Sequence, residues 1–153
     1  MSAKEIVKGF YKSDAYINPE IMKEYLHPEC ILEWNSTKGF IQMDYNALLN
    51  LTNDISRAYV RTKARISHII EEDNIVSVRF DHFVKTLENP REEMFLAHIM
   101  IIWEIKDNKL YRGYQMSQGI WFFYSKKKFK IITKALLLLH NFKNYIKNIS
   151  WVF

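Results

Sequence analysis

The chain is poor in the residues that cross-link or interrupt a fold. Its 153 residues include one cysteine, four glycines and three prolines. No apolar run reaches the roughly 18 residues that a membrane-spanning helix needs. Since Cys30 is the single cysteine, an intrachain disulfide and a cysteine-rich zinc site are excluded, and we expect a cytoplasmic protein. The N-terminal residues have mixed charge and no long apolar stretch, so no signal peptide is expected.

Acidic residues are absent from residues 119–153, which hold seven lysines. Residues 1–118 carry a net charge of −2, so the formal charge of +5 of the whole chain comes from this C-terminal segment alone. The body of the protein therefore needs no anionic partner to explain its charge. We expect one domain at 1–118 and an appended basic, aromatic and apolar extension at 119–153.

The extension has three interpretations. Its apolar residues recur at helical spacing beside lysines, which predicts a helix packed on the domain or on a second copy. The same pattern is typical of a basic amphipathic helix that contacts an anionic membrane surface. Alternatively the segment is not a selected part of the protein, because Lys, Asn, Ile, Phe and Tyr supply 22 of its 35 residues, as in translated AT-rich DNA. No nucleic acid is expected as a partner, since arginine and a binding signature are missing there.

Apolar spacing and capping residues predict three helices in the first part of the chain. These helices are Ala3 to Lys12, a short one that begins at Asn18-Pro19-Glu20 and ends at His27-Pro28, and a longer one from Asp44 to Tyr59. Between the second and the third, Ile31 to Asn35 is strand-like and Gly39 marks a turn.

From Thr62 to Ser117 apolar and polar residues alternate, which predicts a meander of long antiparallel strands. The segment from Met94 to Ile105 differs because it is apolar on both faces, so we expect other elements to pack on each side of it. The last strand is predicted from Leu110 to Gln118. Helices followed by a strand meander indicate an α+β fold.

Three segments of the chain resemble the nuclear-transport-factor-2-like superfamily, and in particular its SnoaL-like, polyketide-cyclase-like small proteins. They are YLHPECILEW after the second helix, Gly39 with the long helix behind it, and the ending IIWEIKDNKLYRGYQ. The resemblance covers about residues 3–118 and implies a cone-shaped α+β barrel, in which N-terminal helices pack in the concave face of a curved, mostly antiparallel sheet. It also implies a pocket for a small apolar molecule inside the cone and a homodimer formed through the sheet.

Turn lengths predict which residues share a face in the last two strands. A two-residue turn at Asp107-Asn108 pairs Lys106 with Lys109, and counting back from there pairs Met100 with Gln115. The residues predicted to share one face of this hairpin are His98, Met100, Ile102, Tyr111, Gln115 and Ser117.

The preceding hairpin is predicted with a three-residue turn at Glu72-Asp73-Asn74. This turn pairs His68 with Val78 and Ala64 with His82, and it keeps the apolar faces of both strands together. Whether His82 and His98 share a face depends on the loop at Pro90, and both parities are open. Arg79 and Asp81 alternate onto the polar face opposite His82, where we expect a solvated ion pair.

The candidate catalytic residues are His82 and His98, because imidazole titrates near neutral pH. The candidate ligand-binding residues are Trp34, Met100, Tyr111 and Gln115. The alternative for each is a structural role: a histidine hydrogen-bonded to a neighbour, a core tryptophan, a satisfied amide. No metal is expected, since His68, His82 and His98 lie on different strands without ligand spacing. No cofactor is expected either.

Three functions remain open from the sequence, because members of the superfamily include isomerases, cyclases, epoxide hydrolases, dehydratases and non-catalytic binding modules. The first is binding of a small apolar molecule without turnover. The second is a cofactor-free isomerase, cyclase or lyase with His82 or His98 as general base and Gln115 or Tyr111 as hydrogen-bond donor. The third is an interaction protein that acts through sheet-mediated dimerisation or the basic extension. The aspartate base and the Asp/Arg/Asp cluster of enzymatic relatives have no counterpart that we can place.

Overall fold

The computed structural model describes residues 1–119. The extension was predicted at 119–153; Gly119 ends the last strand, and the predictions for the rest of the extension lie outside the described residues. The helices and strands, in chain order, are α1 Ala3–Lys12, α2 Pro19–Tyr25, β1 Leu26–Ser36, β2 Gly39–Asp44, α3 Tyr45–Ala58, β3 Tyr59–Glu72, β4 Ile75–Thr86, β5 Met94–Lys106 and β6 Lys109–Gly119.

Local capping chemistry sets the helix starts, as predicted. Ser2 and Glu5 form a reciprocal capping box at α1, and the Asn18 side chain accepts hydrogen bonds from Glu20 N and Ile21 N at the start of α2. The Asp44 carboxylate accepts from Ala47 N, 2.8 Å away, at α3. Each cap satisfies backbone N–H groups that have no partner within the helix. The predicted bounds of α1 are confirmed, and those of α3 are confirmed to within one residue.

The six strands form one curved, unclosed sheet in the order β2-β1-β6-β5-β4-β3. All neighbouring strands are antiparallel except β1 and β6, which are parallel. Helix α1 packs against β3 and β4, and α3 packs against β1, β2 and β3, so the helices lie in the concave side of the sheet. This arrangement confirms the cone-shaped α+β architecture. We call the helix-covered side the inner face and the opposite side the outer face.

The β5–β6 turn is confirmed, but the pairing predicted beyond it is wrong by one residue. Asp107 and Asn108 both have positive φ, 52° and 57°, as a tight two-residue hairpin turn requires, and Lys106 pairs with Lys109. A β-bulge follows, because Ile105 pairs with Leu110 while Glu104 pairs with Arg112. Tyr111 is the extra residue. Met100 therefore pairs with Met116 instead of Gln115, and each β6 residue beyond the bulge lies on the face opposite to the one predicted.

The β3–β4 hairpin contains two compensating differences from the prediction. Its turn is Asp73-Asn74 alone, since Glu72 pairs with Ile75, so the predicted three-residue turn is wrong. A bulge between Ile66 and His68 then restores the predicted pairing of Ala64 with His82, while His68 pairs with Arg79 instead of Val78. The inner face of β4 is accordingly the predicted apolar one.

Strand β5 is buried on one face only, which corrects the expectation of packing on both sides. Ile99, Ile101 and Trp103 on its inner face are at most 3% exposed, whereas Met100 and Ile102 on its outer face are 54% and 43% exposed. The sheet therefore presents apolar side chains on its outer face as well, which becomes important for the proposed interface below.

Candidate functional site

An aromatic cluster from α1 and the following loop fills part of the cone. The Phe10 ring lies 4.9 Å from that of Tyr11 and 5.5 Å from that of Tyr16. Tyr11 also lies 4.6 Å from Phe80, and its hydroxyl accepts a hydrogen bond of 3.0 Å from Trp103 Nε1. This buried hydrogen bond satisfies the indole N–H of Trp103 within the core.

His82 lies in this cluster, on the inner face of β4. It is 1% exposed, and its ring is 5.0 Å from Tyr16 and 6.2 Å from Phe80. Burial lowers the pKa of His82 from 6.5 to about 4, because the charged imidazolium is poorly solvated there. The side chain is therefore a neutral imidazole at physiological pH, surrounded by aromatic rings.

His98 lies on the opposite side of the sheet. Its Nδ1 is 2.7 Å from Asp81 Oδ1, its side chain is 56% exposed, and the Phe95 ring is 4.6 Å away. Strand alternation on β4 and β5 places the two histidines on opposite faces of the sheet. The sequence had left open whether they share a face, and the structure shows that they do not. The expected ion pair of Arg79 with Asp81 is also corrected, since Asp81 pairs with His98 and Arg79 Nη1 donates to Ser67 Oγ at 2.8 Å.

Trp34 and Gln115 come together on the inner face. They are direct neighbours in the parallel β1–β6 pairing and are 2% and 6% exposed. Trp34 Nε1 donates a hydrogen bond of 2.7 Å to Ser117 Oγ, on the same side of β6. Within residues 1–119 the structure records no hydrogen bond to the Gln115 amide. The Trp34 ring, the Ser117 hydroxyl and the Gln115 side chain thus lie together between β1 and β6.

The other two predicted ligand-binding residues lie elsewhere. Met100 is on the outer face. Tyr111, the bulge residue, lies at the β5–β6 turn, with its ring centroid 5.1 Å from that of His27 and 4.3 Å from the Arg112 guanidinium. Strand periodicity could not predict two features of this site. Ser117 lies on the inner face because of the bulge in β6, and Tyr16 reaches His82 from a loop.

Two shallow depressions lie on the surface of the described residues. One, of about 340 Å³, is on the outer face between Asn35, Arg79 and Met116. The other, of about 320 Å³, lies between the start of α3 and the β5–β6 turn, and it includes Cys30 and Arg112. Burial raises the pKa of the Cys30 thiol to about 12, so this cysteine is a thiol at neutral pH and a poor nucleophile.

Comparison with known proteins identifies the fold. No protein-family model and no curated protein sequence matches the chain. Among solved structures, wild-type IdmH from Streptomyces antibioticus, provisionally assigned as a polyketide cyclase, superimposes with a TM-score of 0.61 at 12% identity, covering 76% of this chain and 92% of its own. The chain has the nuclear-transport-factor-2-like fold.

Other structures with this fold are equally distant in sequence. A provisionally assigned polyketide cyclase from Acidithiobacillus ferrooxidans has a TM-score of 0.58 at 13% identity, covering 75% of this chain and 87% of its own. An NTF2-like protein of unknown function from Cytophaga hutchinsonii has a TM-score of 0.53 at 14% identity, with coverages of 76% and 90%. Identities this low support the fold of the SnoaL-like proteins and no particular activity.

Within residues 1–119, the structure contains no group of three or more His, Cys, Asp or Glu side chains that could hold a metal ion. In the same part of the chain, none of the helices combines the length and the apolar character needed to cross a bilayer.

Proposed function

We propose that the protein binds a small apolar molecule inside the cone, without turnover. The observation that carries this proposal is the grouping of Trp34, Ser117 and Gln115 on the inner face, where Gln115 is a polar residue that is only 6% exposed. The Gln115 amide can exchange a hydrogen bond with a ligand hydroxyl or carbonyl, which would contribute about 0.5–1.5 kcal/mol to binding. A small number of polar groups in an otherwise apolar environment is typical of small-molecule binding sites.

The catalytic alternative has weaker support. Gln115 pairs with Ile101 and His82 with Ala97, so the two side chains lie about 13 Å apart along the strands and about 10 Å apart across them. A base and a donor at that separation cannot contact neighbouring atoms of a small substrate. In addition, a histidine whose pKa is about 4 is a weak base at neutral pH. His98, on the outer face, is separated from Trp34 and Gln115 by the sheet itself.

The binding proposal predicts that an apolar ring with one hydroxyl binds better than the same ring without it. We expect 2-naphthol to bind the wild-type chain roughly 5- to 10-fold more tightly than naphthalene, the contribution of about one hydrogen bond. Gln115→Met keeps the volume but removes the amide, so it should abolish this difference and leave naphthalene binding unchanged. Ligand titration followed by NMR would measure both affinities.

Met116→Leu is the matched control, because Met116 lies on the outer face of the same strand. It should leave both affinities as in the wild type. Equal affinities of wild-type protein for the two compounds, or a preference that survives Gln115→Met, would contradict a site at Gln115.

We also propose that two copies associate through their outer faces. Four large apolar side chains form a block on the two central strands, with Met100 opposite Met116 and Ile102 opposite Tyr114. Their exposures are 54%, 68%, 43% and 40%. Contiguous exposed apolar surface at the centre of a sheet is typical of an interface, and a second copy of the same face is the simplest occupant.

Placing a charge in this block should dissociate the dimer. We expect Met116→Asp to raise the dimer dissociation constant by roughly 30-fold or more, the effect of a central interface residue that contributes about 2 kcal/mol. Sedimentation equilibrium of the full chain would measure it. Ile70→Asp is the control, since Ile70 is 66% exposed but lies on the edge strand β3. A monomeric wild type, or an equal effect of Ile70→Asp, would refute the interface.

A further inference from the structure

Strand β3 is an edge strand that carries a row of cations. In the sheet of residues 1–119 it pairs with β4 alone, so the backbone groups on its other side have no strand partner there. Along its outer face, Arg61, Lys63 and Arg65 occur at every second residue, about 7 Å apart. Lys85 of β4 pairs directly with Arg61 and adds a fourth positive charge. We call these four residues the basic strip.

Intramolecular ion pairs leave most of the basic strip without a counter-ion. Arg65 pairs with Glu93, and its guanidinium lies 3.9 Å from the centre of the Phe83 ring. The other three cations form no ion pair with any residue of 1–119. Like charges directly opposite each other on neighbouring strands destabilise a sheet. The Arg61–Lys85 pair therefore favours an external carboxylate that lies close to both side chains.

The backbone of this edge is also open to a partner. Over residues 61–67 of β3, the structure records no backbone hydrogen bond to any part of residues 1–119 except β4. The contacts recorded near the two ends of the strand, at Ala58 O and at the Glu71 carboxylate, lie outside this stretch. An added strand would supply hydrogen-bond partners for these N–H and C=O groups.

The charges on the edge restrict which strand can pair with it. Two copies of β3 would place like charges opposite each other, so the cations disfavour self-pairing. The C-terminal segment 119–153 is not complementary either, because it has seven lysines and no acidic residue. An extended peptide with a carboxylate at every second residue matches the basic strip, since paired residues of neighbouring strands point to the same face. Its intervening residues would lie beside the half-buried inner-face residues Thr62, Ala64 and Ile66.

We propose that β3 binds an extended acidic peptide by strand addition, with the carboxylates of the peptide on the basic strip and its apolar side chains on the inner side. Backbone pairing supplies affinity, and the alternation of acidic and apolar residues selects the partner. A nucleic acid would neutralise the same cations, but it lacks the alternating N–H and C=O groups that pair with an edge strand.

Binding of labelled peptides to the full chain tests this proposal. We expect binding of a fluorescein-labelled peptide of about ten residues that alternates Glu and Val. A peptide that alternates Glu and Pro has the same charge, but it should bind roughly tenfold more weakly or worse, because proline has no N–H to donate. Lys63→Glu should raise the Kd of the Glu-Val peptide by roughly tenfold or more, since repulsion replaces attraction at the centre of the basic strip. Fluorescence anisotropy would measure each Kd.

Lys23→Glu is the matched control, because it makes the same charge change on α2, which packs on α3, β1 and β6. It should leave the Kd within about twofold of the wild-type value. In the complex, amide protons of residues 61–67 should exchange more slowly with solvent. Equal binding of the two peptides, or equal weakening by the two variants, would show that charge alone acts and would overturn strand addition at β3. So would an absence of binding, or tighter binding of a single-stranded oligonucleotide of the same net charge.

Discussion

Replacing Gly113 with alanine is expected to destabilise the protein by about 3 kcal/mol, at the upper end of the cost of overpacking a core. A Cβ at this position would lie 2.6 Å from Trp103 Cζ3 and 2.7 Å from Leu32 Cδ1. Trp103 and Leu32 are 3% and 5% exposed, so neither side chain can move into solvent to make room. Thermal unfolding should show a decrease in Tm of roughly 10 °C for a chain of this size.

Gly39→Ala separates crowding from backbone strain. Gly39 has a φ of +118° at the exposed start of β2, and an added Cβ would meet no atom within 4 Å. Its replacement should cost only about 1 kcal/mol, the conformational penalty for a residue with a side chain. If Gly113→Ala is no more damaging than Gly39→Ala, the close approach of β6 to Trp103 and Leu32 is wrong.

The second large effect is the loss of about 3 kcal/mol of stability between neutral pH and pH 4, caused by His82. The folded-state pKa of His82 is about 4, whereas the unfolded chain has the ordinary value of 6.5. Between these values the unfolded state takes up a proton that the folded state does not, so stability is fully present above pH 6.5 and decreases as the pH falls towards 4. The difference of the two pKa values corresponds to about 3 kcal/mol.

Urea unfolding at about pH 7.5 and at about pH 4 would measure this loss. His82→Leu removes the titrating group. Between these two pH values, the free energy of unfolding of the variant should therefore decrease by about 3 kcal/mol less than that of the wild type. Contributions of the carboxylates are common to both proteins and cancel in the comparison. His68→Leu, at an exposed histidine of β3, should retain the wild-type pH dependence. Equal losses in wild type and His82→Leu would contradict a buried, neutral His82.

Helices and strands could be predicted because their signals are local. The Asn18-Pro19-Glu20 start of α2 and the Asp44 cap of α3 act within one turn of backbone, so a window of a few residues contains the whole cause. Alternation along β4 likewise places Val76, Val78 and Phe80 on one face without knowledge of any neighbour. Fold class and the order of the helices and long strands followed from these signals, whereas strand β2 was not predicted.

Site composition could not be predicted to the same extent, because a single bulge reverses the face of all residues beyond it. Tyr111 is the extra residue in β6, and it moves Gln115 and Ser117 to the inner face while Met100 and His98 stay on the outer one. No residue type in this stretch marks the bulge. The correct grouping of Gln115 with Trp34 comes from the parallel β1–β6 pairing, between residues about 80 positions apart.

The amino-acid sequence by itself determined the helix caps, the strand periodicity and the tight turn at Asp107-Asn108, since each depends on residues within a few positions of one another. Only the tertiary structure decided which polar side chains enter the cone and which apolar ones stay in solvent. The physical reason is that strand register is a long-range property. Backbone pairing and core packing select it together, and a shift of one residue exchanges inside for outside.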